Sequence, residues 1–308
     1  MTRFLVRRVL TIPFVVLLAN FFGYVYAFYV GPIHLTRNPY ASSRIELPPI
    51  IPIYVEYLKG ITRLEFGVMY NGQTIAEAIL KTGIASLGLI AISLTLSVIV
   101  GLFLGLRAVK VDPPKVSLWL TVLSTVGLAS PSFYIGILFI TFSIFLLFWT
   151  PGIDPVIPFQ GFGWDAHLIL PVLALMVRPT VQIAQMTSGM LSSELEKQYI
   201  TAARSFGHSL KAIRGRYALR NITAPVILTI AGSLRLLVAE LIIVERLFSW
   251  PGFGRLISST LVLTSHTDNF LEPQLVAALL TILVAFFLLV DFAASFMVRV
   301  IDPRLRAA

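Results

Sequence analysis

Between Thr82 and Leu106 the chain carries no charged residue, and a second uncharged stretch runs from Val116 to Ile153. A helix needs about 20 consecutive apolar residues to cross the hydrocarbon of a bilayer. Hydrocarbon offers backbone amides no partner, so a crossing segment of this kind has to be helical. That constraint makes the fold class all-α and the protein a polytopic membrane protein. Composition agrees. Of 308 residues, 57% are hydrophobic and 13% are charged, and mean hydropathy is +0.87; soluble domains carry about 25% charged residues.

Taken in order, the sequence reads as six transmembrane helices. Arg3, Arg7 and Arg8 precede an apolar run from Val9 to about Val30. A cleaved leader also starts with charge, but its apolar part is only about 7–15 residues, so the run reads as a retained first span. Residues 31–82 form an extracytoplasmic segment. Pro32, Pro39, Pro48, Pro49 and Pro52 break any long helix there, while Ile50, Ile51, Tyr54, Tyr57, Leu58 and Phe66 give it something to bury. Short helices are expected at 53–60 and 73–80. The remainder, 83–308, reads as the core, with spans two to six.

Thr82–Leu106 is span two. The next uncharged stretch is too long for one straight span and is interrupted at Ser130-Pro131-Ser132. Proline removes a backbone hydrogen bond, so Pro131 marks either a kink or a broken helix lining a pathway. Span four, about His167 to Leu191, contains Arg178 and Pro179. Span five, about Ile222 to Val244, contains Arg235 and Glu240, and span six, Gln274 to Val298, contains Asp291.

The net charge of +9 does not point to nucleic acid, because the basic residues sit mostly in short loops between apolar runs. Fifteen of the 24 Lys and Arg fall on one side, in the N-terminus, the 107–115 connection, the 197–220 loop and the tail. Cytoplasmic loops attract Lys and Arg. Both termini and the loop at 192–221 are therefore expected to be cytoplasmic, in a multi-pass protein of the cytoplasmic (inner) membrane.

That loop is unusual. From Gln198 to Pro225 it reads QYITAARSFGHSLKAIRGRYALRNITAP, with Arg204, Lys211, Arg214, Arg216 and Arg220 and no acid. Small residues cluster at Thr201-Ala202-Ala203, and Gly207 follows where a first helix can end. A second helical phase is expected from Ser209 to Asn221. Small side chains let a partner approach closely, and two helical phases suit a lever that plugs into another protein.

The spacing Thr201-Ala202-Ala203, three residues, then Gly207 resembles the EAA loop of ABC-importer permeases, the segment that docks on the ATPase. YITAAR-x-x-G followed by YALRN-x-x-x-P is similar to the dipeptide/oligopeptide/nickel branch. So are ERLFSWPGFG from Glu245 to Gly254, the tail Asp302-Pro303-Arg304-Leu305, FGVMYNGQTIAEAI and the opening FLVRRVL. This chain departs from the pattern at Thr201 (usually an acid), Phe206 (usually Lys), Tyr217 (frequently His) and Gly31-Pro32 (often Gly-Asp-Pro). The resemblance implies a B-type permease subunit of the type I ABC-importer fold, with ATPase-coupling contacts at Thr201, Ala202, Ala203, Arg204 and Gly207. It implies a second homologous permease, two ABC ATPases, an extracytoplasmic solute-binding protein and the lipid bilayer as partners. Peptides are the cargo it suggests first, with oligosaccharides or nickel chelates as alternatives.

Charged groups at the centre of a span cost at least about 2.5–3.5 kcal/mol on insertion scales and face protein or a water-filled cavity. Arg178, Arg235, Glu240 and Asp291 are four such residues. Arginine does not release its proton, so pairing of Arg178 or Arg235 with Glu240 or Asp291 is favoured over a proton relay. An ion-coupled secondary transporter using Glu240 and Asp291 is the rival reading. Gln182, Gln185, Thr187 and Ser188 can bond a peptide-like solute or a neighbouring helix. Glu245 with SWPGFG reads as an outer gate or binding-protein contact, or else as an aromatic anchor at the membrane interface. With no cysteine there is no disulfide or thiolate chemistry. His34, His167, His208 and His266 lack metal-ligand spacing, and no GxxxxGK[ST] loop is present. The chain reads as a non-catalytic subunit needing no cofactor, with ATP hydrolysed by its partners.

Overall fold

The computed structural model describes residues 2–36, 47–63, 65–69, 71–149, 157–261 and 271–301. The tail motif Asp302–Leu305, Asp154, Pro39 and His266 lie outside them. Six described helices are long and apolar enough to cross a membrane: Arg7–Pro32, Ile75–Arg107, Ser132–Trp149, Ala166–Leu195, Leu210–Leu247 and Pro273–Ile301. The chain forms two compact units, Met1–Ser86 with Pro251–Phe292, and Leu87–Trp250 with Ala293–Ala308.

In the first unit, α1 (Thr2–Thr36) runs through both Pro13 and Pro32. The expected break at Pro32 is absent: the proline gives up one N–H, opposite the Phe28 carbonyl, and the helix runs one further turn to Thr36. α2 (Ile50–Thr62) starts after Pro49 and holds Pro52 in its first turn, where the missing N–H has no carbonyl to meet. The separate helix expected at 73–80 is instead the first part of α3 (Ile75–Arg107), which continues unbroken into span two. α10 (Phe253–Leu261) and most of α11 (Pro273–Ile301) complete the unit.

Its centre is a buried asparagine. The Asn20 amide donates to the Tyr57 hydroxyl (3.3 Å) and to Thr281 Oγ1 (3.0 Å), and its carbonyl accepts from the Tyr54 hydroxyl (3.0 Å). One side chain thus ties α1 to α2 and α11. Around it, the Phe21, Tyr24, Tyr54 and Tyr57 rings meet at centroid distances of 5.1 to 5.2 Å. Such pairs contribute about 0.5–1.5 kcal/mol each beyond simple burial.

In the second unit α3 ends in a hairpin, β1 (Val109–Val111) against β2 (Pro114–Val116). α4 (Leu118–Ala129) and α5 (Ser132–Trp149) follow, parted at Ser130-Pro131, so the stretch is broken there rather than kinked. A 3-10 turn (Ala166–Leu168) leads into α6 (Ile169–Leu195). Then come α7 (Gln198–Ser205), the single turn α8 (Leu210–Ala212), a π-helical stretch (Ile213–Ala218) and α9 (Leu219–Leu247).

α6 is the axis of this unit, with most of its side chains buried. Gly101 and Gly105, one turn apart on α3, let its backbone lie directly on α6. A Cβ at Gly101 would sit 2.8 Å from the Thr180 carbonyl, and one at Gly105 2.7 Å from that of Ala184. This is the small-xxx-small packing of membrane helices. Trp250 is fully buried against Phe162 (4.7 Å) and Trp164 (5.9 Å), so it is a packed core ring rather than an interfacial anchor.

The Asn20 hub yields a test. Asn20→Leu strands the Tyr54 hydroxyl and should cost about 1–3 kcal/mol. Limited proteolysis of the purified protein in detergent is expected to cut residues 47–63 sooner than in wild type. Unchanged resistance would show that ring packing alone holds α2.

Candidate functional site

Two places in the second unit carry the candidate residues. The first is the connection between α6 and α9. α6 ends at Leu195, and the buried Glu194 just before its end collects three donors: the Tyr199 hydroxyl (2.6 Å), Asn221 Nδ2 (2.8 Å) and Lys197 Nζ (2.6 Å). This network fixes the start of α7 against the start of α9. Burial, and then the hydrogen bond to the Glu194 carboxylate, push the Tyr199 hydroxyl up to about 12. The stability it contributes is therefore complete below the ordinary tyrosine value near 10 and is lost as pH rises through about 12.

α7 is short because Gly207, at φ +79°, turns the chain out of it. A left-handed residue after a helix is the usual stop, and glycine adopts it without strain. Ser209 then caps the second phase, its Oγ accepting from the Ala212 amide (3.3 Å). The two phases expected from the sequence are both present. The second does not stop at Asn221, however: it passes through the π-helical stretch into α9, so Pro225 lies inside α9 rather than at the mouth of a new helix.

The faces of α7 are distinct. Ile200 and Ala203 are buried in a cluster with Leu191, Leu195, Ile213, Ala218, Ile222 and Val109. Thr201, Ala202, Ser205, Phe206 and Gly207 are exposed, and Phe206 is 81% exposed. Arg204 is half-buried and faces the β-hairpin: its Nη2 donates to the Val111 carbonyl (2.8 Å), and Nη1 lies 3.6 Å from Asp112 Oδ2. Of the five basic residues in the stretch, Arg204 and Arg214 turn inward, while Lys211, Arg216 and Arg220 face outward.

The second place is a groove of about 910 Å³ between α4, α6 and α9. Arg178, Gln182, Gln185, Thr229 and Arg235 line it, together with apolar residues such as Leu128. Glu240 stands behind Arg178 and makes an ion pair with it, joining α6 to α9. The pairing expected for these intramembrane charges thus falls on Arg178 and Glu240. The Ser233 hydroxyl donates to Gln182 Oε1 (3.3 Å), holding that amide at the wall. The groove gathers Arg178, Gln182 and Arg235. Pro131 is not in its wall, Glu245 is fully buried in the last turn of α9, and Asp291 lies on α11 in the part belonging to the first unit. Among the described residues no group of His, Cys, Asp and Glu could hold a metal ion.

Sequence reasoning missed the Glu194–Tyr199–Asn221 network, whose members are scattered in sequence. It also missed the close approach at Gly101 and Gly105, where the signal, two glycines four apart in an apolar span, was visible.

Comparison with known families gives this geometry a setting. Residues 97–307 match the model of the family described as binding-protein-dependent transport system inner membrane component. The chain belongs to that family. Such a permease is the non-catalytic membrane subunit of an ABC transport system, working with separate ATPases and a binding protein. It is a multi-pass inner-membrane protein. Over 82% of its length the permease is 26% identical to the oligopeptide transport system permease protein AppB of Bacillus subtilis, covering 81% of that protein. Over 88% of its length it is 26% identical to a probable peptide ABC transporter permease, y4tP, of Sinorhizobium fredii, covering 86% of it. The putrescine export system permease protein SapB of Escherichia coli is 25% identical over 82% of this chain and 83% of that one. Among solved structures, the MetNI methionine ABC transporter in an inward-facing conformation superposes with a TM-score of 0.58 at 17% identity, over 74% of this chain and 97% of that chain. That likeness concerns the permease fold alone.

The Arg178–Glu240 pair makes a measurable claim. Glu240→Gln leaves a guanidinium in the helix bundle without its carboxylate and should destabilise the permease by about 3 kcal/mol. The double variant Arg178→Met/Glu240→Gln should recover most of that loss. Thermal unfolding in nanodiscs measures both; equal losses in single and double variants would deny the pair a structural role.

Proposed function

We propose that this permease passes peptides, delivered by an extracytoplasmic binding protein, across the inner membrane in an ATP-driven importer. In this reading it pairs with a second homologous permease, and two ABC ATPases dock beneath the pair. The observation that carries the coupling reading is the exposed face of α7: small residues Thr201 and Ala202 ending in Phe206 and the Gly207 turn. An exposed phenylalanine beside small side chains offers a docking partner an aromatic anchor that can be closely approached.

Both termini and the 192–221 loop face the cytoplasm, and residues 31–82 face the outside. The supporting observation is the Lys and Arg distribution, 15 of 24 on the lever side. The groove between α4, α6 and α9 serves as this subunit's share of the pathway. Its guanidinium and amide groups suit the carbonyls and terminal carboxylate of a peptide, and the names of the AppB and y4tP relatives point to the same class. The engagement of Glu240 by Arg178 supports a bracing role for this carboxylate over ion-coupled transport.

Ala203 and Arg204 serve docking less directly than Thr201, Ala202 and Phe206, because they point inward. Phe206→Asp should therefore reduce co-purification of the ATPases about tenfold or more, as expected for removal of an interfacial aromatic anchor. Ala203→Glu instead disrupts the buried cluster and lowers the amount of folded permease. Undiminished ATPase recovery with Phe206→Asp would remove α7 from the interface. In proteoliposomes holding the assembled complex, labelled peptide uptake should require ATP and the binding protein and survive ionophores; ionophore-sensitive uptake indifferent to ATP would favour the secondary-transporter reading.

A further inference from the structure

The β-hairpin between α3 and α4 belongs neither to the groove nor to the exposed face of α7, yet two lever arginines are spent on it. We propose that Arg204 and Arg214 are positioning residues that clamp the lever to this hairpin, making the hairpin and the end of α3 the element through which lever movement reaches the membrane. The inference rests on the coupling reading above.

Two backbone carbonyls carry the join. In the hairpin, Val111 stands opposite Pro114. The Ser117 amide bonds the Ala108 carbonyl, and bonded pairs alternate along an antiparallel ladder, so Val111 and Pro114 form a non-hydrogen-bonded pair whose carbonyls point out of the hairpin. The Val111 carbonyl therefore has no donor within the hairpin, and Arg204 Nη2 supplies one at 2.8 Å. Leu106 lies in the last turn of α3, where carbonyls have no intrahelical partner. Arg214 donates to that carbonyl, and a cation at a helix C-terminus also complements the helix dipole. Each arginine thus answers a vacancy that the hairpin or its helix creates.

The placement of the two is also particular. Arg204 sits on α7, before the Gly207 turn, and Arg214 sits in the π-helical stretch after it. The clamp therefore holds both phases of the lever to one short segment, residues 106–111. On that side an apolar cavity of about 420 Å³ separates Leu106 and Val111 from Leu210, so polar bonds carry the join where packing leaves space. The hairpin itself is closed by the Ser117 amide donating to the Ala108 carbonyl (2.8 Å). It leads directly into α4, which contributes Leu128 to the groove. The route from lever to groove is then α7, Arg204, hairpin, α4. The outer pair of Arg204 with the exposed Asp112, at 3.6 Å, adds little, as surface ion pairs do.

The test uses the whole permease and needs two variants. Arg204→Ala removes the clamp from the lever side. Arg214→Ala removes the second join, to the Leu106 carbonyl at the end of α3, and leaves α7 unchanged. The chain has no native cysteine, so spin labels can be placed at Lys110→Cys and Ser205→Cys, both exposed sites. The distance distribution between them should be narrow in the parent and broad in either variant. In the reconstituted complex, ATPase recovery should be retained while peptide uptake per ATP hydrolysed falls about tenfold, with partial rescue by Arg204→Lys.

An unchanged distance distribution, or unchanged uptake per ATP in Arg214→Ala, would overturn the proposal. Loss of the ATPases from Arg204→Ala alone would overturn it too, by making Arg204 a docking contact. Failure of the wild-type complex to take up peptide would strike the transport reading and leave the spin-label result to judge the clamp.

Discussion

Backbone carbonyls without a donor of their own govern how this permease is assembled. Hydrocarbon cannot satisfy them, so each break in a membrane helix has to be answered from within the protein. Where the chain is broken at Ser130-Pro131, the proline leaves the Gly127 carbonyl without its i+4 donor, and the Ser130 amide and hydroxyl close the end of α4 on the Val126 carbonyl, at 3.1 and 2.9 Å. Where α3 ends, Arg214 reaches the Leu106 carbonyl. At the turn of the hairpin, Arg204 reaches the Val111 carbonyl. The irregular points of the second unit are thus also the points where one element is fastened to another.

This explains which parts of the molecule were legible in advance. The six spans follow from apolar length, which is a property of composition along the chain and needs no knowledge of neighbours. The turn at Gly207 and the break at Pro131 were readable because glycine and proline act on their own backbone. Pro32 was read by the same rule and misled, since α1 passes it, as it passes Pro13, by giving up a backbone bond rather than ending. Short strands at 109–116 were invisible because three residues carry no periodicity. Arg204 and Arg214 looked like Lys211, Arg216 and Arg220: five cations in a loop of one sign. Only the fold separates the two that cap carbonyls from the three that face outward.

The same distinction bears on the family pattern in the lever. Small residues at Thr201, Ala202 and Ala203 are consistent with close approach of a partner, but helical geometry puts them on two faces. Ala203 is small because it is packed among Leu191, Leu195 and Ile213, whereas Ala202 is small on the outside. A motif of adjacent positions therefore contains two requirements, one from the interior of the permease and one from its surface. Phe206 belongs wholly to the second, which is why its departure from the usual lysine alters the chemistry offered to a partner without disturbing the permease's own core.

Lever and groove are finally not separate devices. α6 forms one wall of the groove with Arg178, Gln182 and Gln185 and then enters the lever at Glu194; α9 leaves the lever at Asn221 and forms another wall with Thr229 and Arg235. The Glu194–Asn221 bond at one end and the Arg178–Glu240 pair farther along hold these two helices in register. A tilt imposed at α7 cannot be absorbed by one helix while the other stays still, because both are pinned at two heights. It must either move them as a pair or break one of the pins. Bonds that join α6 to α9 at two levels let the two helices shift as one element, which a two-state membrane device requires.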